Sequence, residues 1–246
     1  MFDKTITFRA SKKYIDNNKD IFPIPSVFNI PAWFKKLEHK KNNETVKGCM
    51  PFLDTLTAGY ILKMPVDYYI EHNVDTIGVK NTGFESSQIN TDLADEINLN
   101  YNKFGSFHAT TQVKESPLLE KNKNLPIHKI NNPWFIKTPP GYSTLFVSPL
   151  NNSDDRFSII SGIVDTDTFN IEINFPIIVN GDKYPTLKTT IKRGTPYCQV
   201  IPFKRDKWKM KIDPISKETK KTNMFFLKKL FINNYKEHFW KKKSWK

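Results

Sequence analysis

Four segments follow one another in the second half of the chain: Thr138-Pro-Pro-Gly-Tyr142, Leu145-Phe-Val-Ser-Pro-Leu-Asn-Asn152, Ser161-Gly-Ile-Val-Asp-Thr-Asp167 and Ile191-Lys-Arg-Gly-Thr-Pro-Tyr-Cys-Gln-Val-Ile-Pro-Phe-Lys-Arg205. Each is a turn or a short apolar run of β-forming residues. From Asn131 to Arg205 such runs recur roughly every 10–15 residues with turn residues between them, the spacing of a β-sandwich or barrel. Asn151-Asn-Ser-Asp-Asp155 reads as one turn, and Asn180-Gly-Asp-Lys183 as another with the Asn-Gly signal of a hairpin.

The rest of the composition agrees. The chain has 246 residues, enough to bury a full core, with 9 Gly, 16 Pro, 19 Phe and 13% aromatics. That mixture suits short strands joined by Pro-containing turns better than a helical bundle. No apolar run approaches the ~20 residues of a membrane span, and the opening Met1-Phe-Asp-Lys-Thr-Ile-Thr-Phe-Arg9 has no signal-peptide core. Cys49 and Cys198 have no metal-ligand spacing and make no disulfide framework. A soluble cytoplasmic protein follows as the expectation.

The net charge of +13 is concentrated at one end. Residues 217–246 hold ten Lys and two Glu, so +8 of the total lies there and +5 on the other 216 residues. Thr222 to Trp240 has a helical pattern, with Met224, Leu227, Phe231, Tyr235 and His238 at three- and four-residue steps between lysines. The expected organisation is a β-rich body over 1–211 and a basic amphipathic tail over 212–246. Within the body, Pro31 to Glu38 reads as a short helix, with Pro31 at its first turn. Thr45 to Asp54 and Thr57 to Glu71 read as strands. Residues 72–130 are an irregular, Asn-rich insertion expected to hold structure of its own, with a strand candidate at 76–79 and a weak helix near 89–96.

The four segments resemble the trimeric dUTPase and dCTP-deaminase superfamily, over 57–70 and 138–205. Ala58-Gly59-Tyr60 matches the segment that opens that family's site, although Ile61 replaces its acid. Pro139-Pro140-Gly141 matches the turn leading to the family's phosphate-binding Arg-Ser-Gly, but Pro149-Leu150-Asn151 stands at the expected distance. Asp165 and Asp167 match the acids of the water-activating hairpin, and Gly194 to Gln199 the Gly-Asp-Arg-Ile-Ala-Gln strand. The Gly-rich C-terminal arm is absent, and some eighty residues separate Gly59 from Gly141. The resemblance implies a dUTPase-like sandwich or distorted barrel, with a short N-terminal helix and a C-terminal helix, in a homo-trimer. A fuller pattern resembles an uncharacterised family of phages and bacteria: Ala32-Trp-Phe-Lys35, Cys49-Met-Pro-Phe-Leu-Asp54, Phe107-His108 with Gln112, Asn132-Pro-Trp134, and Val200 to Trp208. That family brings no known activity; the resemblance implies the cytoplasm of a host cell if the gene is phage-borne, with attachment to a virion as the alternative.

Asp165 is the candidate general base, since a carboxylate on a rigid hairpin can activate water. Asp-Thr-Asp can equally be an Asx-type turn that caps backbone N–H groups. Asp167, Asn151, Gln199, Tyr60 and His108 are candidate ligand-binding residues, each with a structural alternative. The histidines show neither His-x-Asp nor His-Glu-x-x-His, and neither a metal nor a cofactor is expected. Both cysteines read as buried, inert thiols. Three functions stand: a binder of a small polar or nucleotide-like ligand without dUTPase chemistry, a hydrolase using Asp165, and an interaction protein whose tail (217–246, with Lys241 to Lys243 and Trp245) grips nucleic acid. The tail stripe can instead pack on the body and leave its lysines in solvent.

Overall fold

The computed structural model describes residues 4–40, 44–76, 83–86, 105–108, 110–123, 125, 127–228 and 234–246. The fold is mostly β, and every described strand pairing is antiparallel. Its strands are β1 (Thr7–Arg9), β2 (Ile24–Pro25), β3 (Tyr60–Lys63), β4 (Tyr68–Asn73), β5 (Gly83–Ser86), β6 (Gly105–His108), β7 (Ile127–Ile130), β8 (Phe135–Lys137), β9 (Tyr142–Val147), β10 (Phe157–Ile159), β11 (Gly162–Val164), β12 (Phe175–Val179), β13 (Thr186–Ile191) and β14 (Pro196–Lys204). A five-stranded sheet runs β11-β9-β14-β3-β2, and a four-stranded sheet runs β10-β12-β7-β6. A three-stranded sheet, β13-β4-β5, and the pair β1-β8 complete the body.

One core joins these sheets. Leu62, Phe146, Cys198 and Val200 come from the first sheet, Ile130, Phe157, Phe175 and Ile177 from the second, and Tyr68, Ile70 and Ile191 from the third. Phe146 meets Phe175 with ring centroids 5.4 Å apart, and Phe175 meets Tyr197 at 5.5 Å. β14 is the central strand, and the register against β3 shifts between Pro196 and Cys198. That irregularity lets Tyr197 and Cys198 both join the core, although neighbours on a regular strand face opposite ways. Pro202 sits where β14 has only β9 beside it, so its missing N–H falls on an open edge.

Three sequence expectations change. Thr45 to Asp54 is not a strand: a 3₁₀ turn over Val46–Gly48 leads into helix Met50–Thr57. Pro51 decides this, because a missing N–H breaks a strand ladder but is harmless in a helix's first turn. Asn180-Gly181 makes a turn but no hairpin, since β12 pairs with β10 and β7 while β13 pairs with β4. The tail's apolar stripe is not packed on the body where it is described: Met224 is 54% and Tyr235 48% exposed, and His238 is also exposed. The tail holds helices Lys217–Lys228 and Asn234–His238, and Ser216 caps the first through the Thr219 N–H.

Two other readings find their elements. Ala32–Lys36 is the expected short helix. The stretch 72–130 does hold structure of its own, contributing β5, β6, β7 and helix Pro117–Lys121 to the body. Of the strand candidate at 76–79, Thr76 closes a 3₁₀ turn over Val74–Thr76, and 77–79, like the helix candidate at 89–96, lie outside the described residues.

Candidate functional site

Pro139-Pro-Gly-Tyr142 forms a turn closed by the Tyr142 N–H on the Pro139 carbonyl, with Gly141 at φ +82°. Proline second and a left-handed glycine third is what a type II turn requires. The turn's geometry aims the Gly141 N–H at Asp167 Oδ2, 2.8 Å away. Asp165-Thr-Asp167 comes to meet it from the end of β11. The Thr168 and Phe169 N–H groups both close on the Asp165 carbonyl, at 3.0 and 2.8 Å. Below, the Thr166 hydroxyl, fully buried, links those of Thr138 (2.8 Å) and Thr144 (2.7 Å).

Arg205, one residue past β14, lies across both acids. Its backbone N–H extends the ladder to the Gly141 carbonyl at 2.9 Å. Its guanidinium forks onto Asp167, Nη1 reaching Oδ1 at 2.8 Å and Nη2 reaching Oδ2. Nη1 also meets the Tyr142 carbonyl and Ser143 Oγ, each at 3.1 Å, and lies 3.2 Å from Asp165 Oδ1. Ser143 Oγ donates to that same Oδ1 at 2.6 Å. The Arg205 fork, with the Gly141 N–H, holds the Asp167 carboxyl down at about 2. The Asp167 side chain is 5% exposed and serves the turn, whereas that of Asp165 is 60% exposed and stands at the rim.

The other candidates sit elsewhere. Gln199, 1% exposed, donates from Nε2 to the Thr55 and Ala58 carbonyls (2.9 and 2.7 Å) and accepts from the Leu150 N–H (2.8 Å). Its amide is spent on backbone groups. Asn151 is exposed at φ +56° and donates to Thr55 Oγ1 at 2.7 Å. Gly59 is held at φ +64°, where a Cβ would stand 2.0 Å from the Val200 carbonyl oxygen, so only glycine fits this crossing. Six residues of extended chain separate Gln199 from Arg205, about 20 Å. The structure therefore brings Asp165 and Asp167 together, and Asn151 and Gln199 together, but not the two pairs.

Tyr60 is covered by the chain's own end. Trp245 packs edge-on at 6.3 Å, and the Tyr60 hydroxyl donates to the Lys246 carbonyl at 3.1 Å. Burial pushes this phenol up. Beside it, Asp54 accepts Trp240 Nε1 at 3.0 Å and Lys243 Nζ at 2.6 Å. Of the tail residues expected to grip nucleic acid, Lys243 and Trp245 thus touch the body, while Lys241 and Lys242 are exposed.

His108 is half-buried at the end of β6, opposite Ile127, in the other large sheet. Cys198 is buried and its thiol pushed up by that burial. Cys49, expected inside, is exposed just ahead of the helix that begins at Met50. Among the described residues, no group of three or more His, Cys, Asp or Glu is placed to hold a metal ion, and no helix is long and apolar enough to cross a membrane.

Sequence reasoning missed Arg205, Ser143 and Asp54. Arg205 lies 38 residues from Asp167, and nothing local marks the pairing. Asp54 closes the Cys49–Asp54 motif, which could have drawn attention to it.

No protein-family model matches the chain, and no curated protein matches it in sequence. Among solved structures the chain is similar to a mutant Staphylococcus bacteriophage 80alpha dUTPase with dUpNHpp, at 12% identity and a TM-score of 0.36, over 87% of this chain and 93% of that one. That is a distant likeness to a phage dUTPase and assigns no ligand or reaction to this chain.

Proposed function

We propose that this chain is a binding protein, not a hydrolase, and that it takes a small polar or nucleotide-like ligand at the Asp165 rim. One observation carries this: a single guanidinium engages both acids, while most of the Asp165 side chain still faces solvent. A general base needs a carboxylate free to take a proton from water. Asp165 shares its Oδ1 with Ser143 Oγ and Arg205, and phosphoryl transfer would further require a cation free to stabilise the phosphate. Arg205 is committed to the acids, and the other cation at this turn, Lys4, lies over the Tyr142 ring at 4.7 Å. What remains is the exposed part of the Asp165 carboxylate, an acceptor suited to a polar ligand edge that presents N–H or O–H donors, as nucleobases and sugars do.

The test is thermal stability against nucleotides, nucleosides and small anionic metabolites. A ligand at ~100 times its dissociation constant adds ~2.7 kcal/mol, an easily measured shift. An Asp165→Asn variant should fold, lose the shift for the hit, and match the wild type in showing no turnover of it. Turnover by the wild type that Asp165→Asn abolishes would establish a hydrolase instead.

A further inference from the structure

We propose that the face built around helix Met50–Thr57 binds single-stranded nucleic acid, with bases on the Phe28 and Trp33 rings and phosphates on Lys35, Lys36, Lys241 and Lys242. Three elements far apart in sequence are fastened to that helix. Phe52 stacks on Phe34 at 5.9 Å and meets Trp33 at 6.1 Å, which seats helix Ala32–Lys36 on one side. Asp54, two residues on and so about 200° round the helix, takes Trp240 Nε1 and Lys243 Nζ and seats the chain's end on the other. The 3₁₀ turn Ser26–Asn29 is tied to the helix exit. Ser26 donates through its N–H to the Gly59 carbonyl at 2.9 Å and through Oγ to the Ala58 carbonyl at 2.8 Å. The tail and helix Ala32–Lys36 thus flank a single helix, about 10–12 Å across.

The chemistry left over at this face selects the occupant. Phe28 is 73% and Trp33 44% exposed. Trp33 is nonetheless fixed, by Phe34 edge-on at 5.7 Å and by Nε1 donating to Asn152 Oδ1 at 3.4 Å. Residues 26–40, 49–60 and 240–246 carry seven Lys and two acids. Both acids are spent within the chain, Glu38 on Lys40 and Asp54 on Lys243, each at 2.6 Å. Lys35, Lys36, Lys241 and Lys242 are exposed and, among the described residues, meet no carboxylate.

Unspent lysines around exposed, held rings suit a flexible polyanion with flat faces. A single strand presents both, whereas a duplex buries its base faces in its own stack. An anionic bilayer would take up a broad apolar face; the large apolar side chains exposed on these elements are the two rings and Val27. The fold therefore joins the basic tail to the Ala32–Lys35 and Cys49–Asp54 motifs in one surface, remote in chemistry from the acidic Asp165 rim.

The full chain should be titrated against labelled oligothymidylate by fluorescence anisotropy over a range of salt concentrations. Four neutralised phosphates give a slope of log affinity against log salt of about −3. The pairs Lys35→Ala/Lys36→Ala and Lys241→Ala/Lys242→Ala should each roughly halve that slope without changing the melting temperature. Trp33→Ala should weaken binding ~5- to 100-fold, and a duplex of equal length should bind less tightly. Should Trp33→Ala itself melt early, the two exposed lysine pairs still decide the matter. The proposal is overturned by a wild type that does not bind at low salt, by a slope that neither lysine pair alters, or by equal affinity for the duplex. It is equally overturned if phosphatidylglycerol vesicles capture the protein in preference to the oligonucleotide. Loss of binding in Trp208→Ala but not in Trp33→Ala would overturn it too, by moving the strand to the exposed segment after β14.

Discussion

Replacing Gln199 with Leu separates a structural amide from a ligand-binding one. The side chain is buried and makes three hydrogen bonds to backbone groups. The Ala58 carbonyl would keep a donor, because Ser26 Oγ also reaches it at 2.8 Å. The Leu150 N–H and the Thr55 carbonyl would each lose the Gln199 amide. An orphaned buried group costs ~1–3 kcal/mol, so two cost roughly 2–6, softened slightly by the more apolar leucine. A net loss of ~3 kcal/mol against a total stability of ~5–15 is large, and lowers the melting temperature of a chain this size by ~6–12 °C. Scanning calorimetry reads it directly. An Asn151→Gly control keeps the left-handed backbone, removes only an exposed bond, and should cost within ~0.5 kcal/mol. Should Gln199→Leu melt within ~1 °C of the wild type, the anchoring role is wrong; should it also abolish the response to a ligand, the amide belongs to the binding site.

The fold dictates two further outcomes. Burial, with His72 nearby, pushes the His128 imidazole down to about 3, while the unfolded chain titrates near ~6.5. Between those values the unfolded state binds more protons, so stability present above pH ~6.5 is lost as pH falls toward 3. Asp167, folded at about 2 against ~3.9 unfolded, adds a second loss below pH ~4. Melting temperature against pH should show both, with His128→Leu removing only the upper one. Gly59→Ala places a Cβ 2.0 Å from the Val200 carbonyl oxygen at a positive φ. The dihedral alone costs ~1–2 kcal/mol, so urea unfolding should show a larger loss than that, and a midpoint equal to the wild type's would refute the crossing.

How much was legible depended on range. The β architecture could be read because its signals are local: Pro139-Pro-Gly141 specifies its own turn, and Tyr197 to Val200 its own strand. Asp165 and Asp167 could be paired because they are two residues apart. Met50 to Thr57 was misread because apolar residues around a proline fit either element, and only the proline's place in the helix's first turn decides it. The Asn180-Gly turn was misread for a different reason. Its local chemistry is right, but which strands it joins is set by sheet packing. The scattering of the ligand set has the same cause, since strand register, which no short motif encodes, separates Gln199 from Arg205.

Arg205 shows what such long-range pairing does to function. Read locally it closes a Lys-Arg-Asp end to a strand and looks like one more surface cation in a chain of +13. In the fold it forks onto Asp167, reaches one oxygen of Asp165, and ties the end of β14 to the Gly141 carbonyl. A planar guanidinium suits both tasks, because its fork can grip Asp167 through two nitrogens while still reaching Ser143 and Asp165. Lysine would retain the charge but not the fork. Geometry at this position thus matters more than charge: the chain has many cations, but this one joins the Pro-Pro-Gly turn, the Asp-Thr-Asp turn and the end of the central strand.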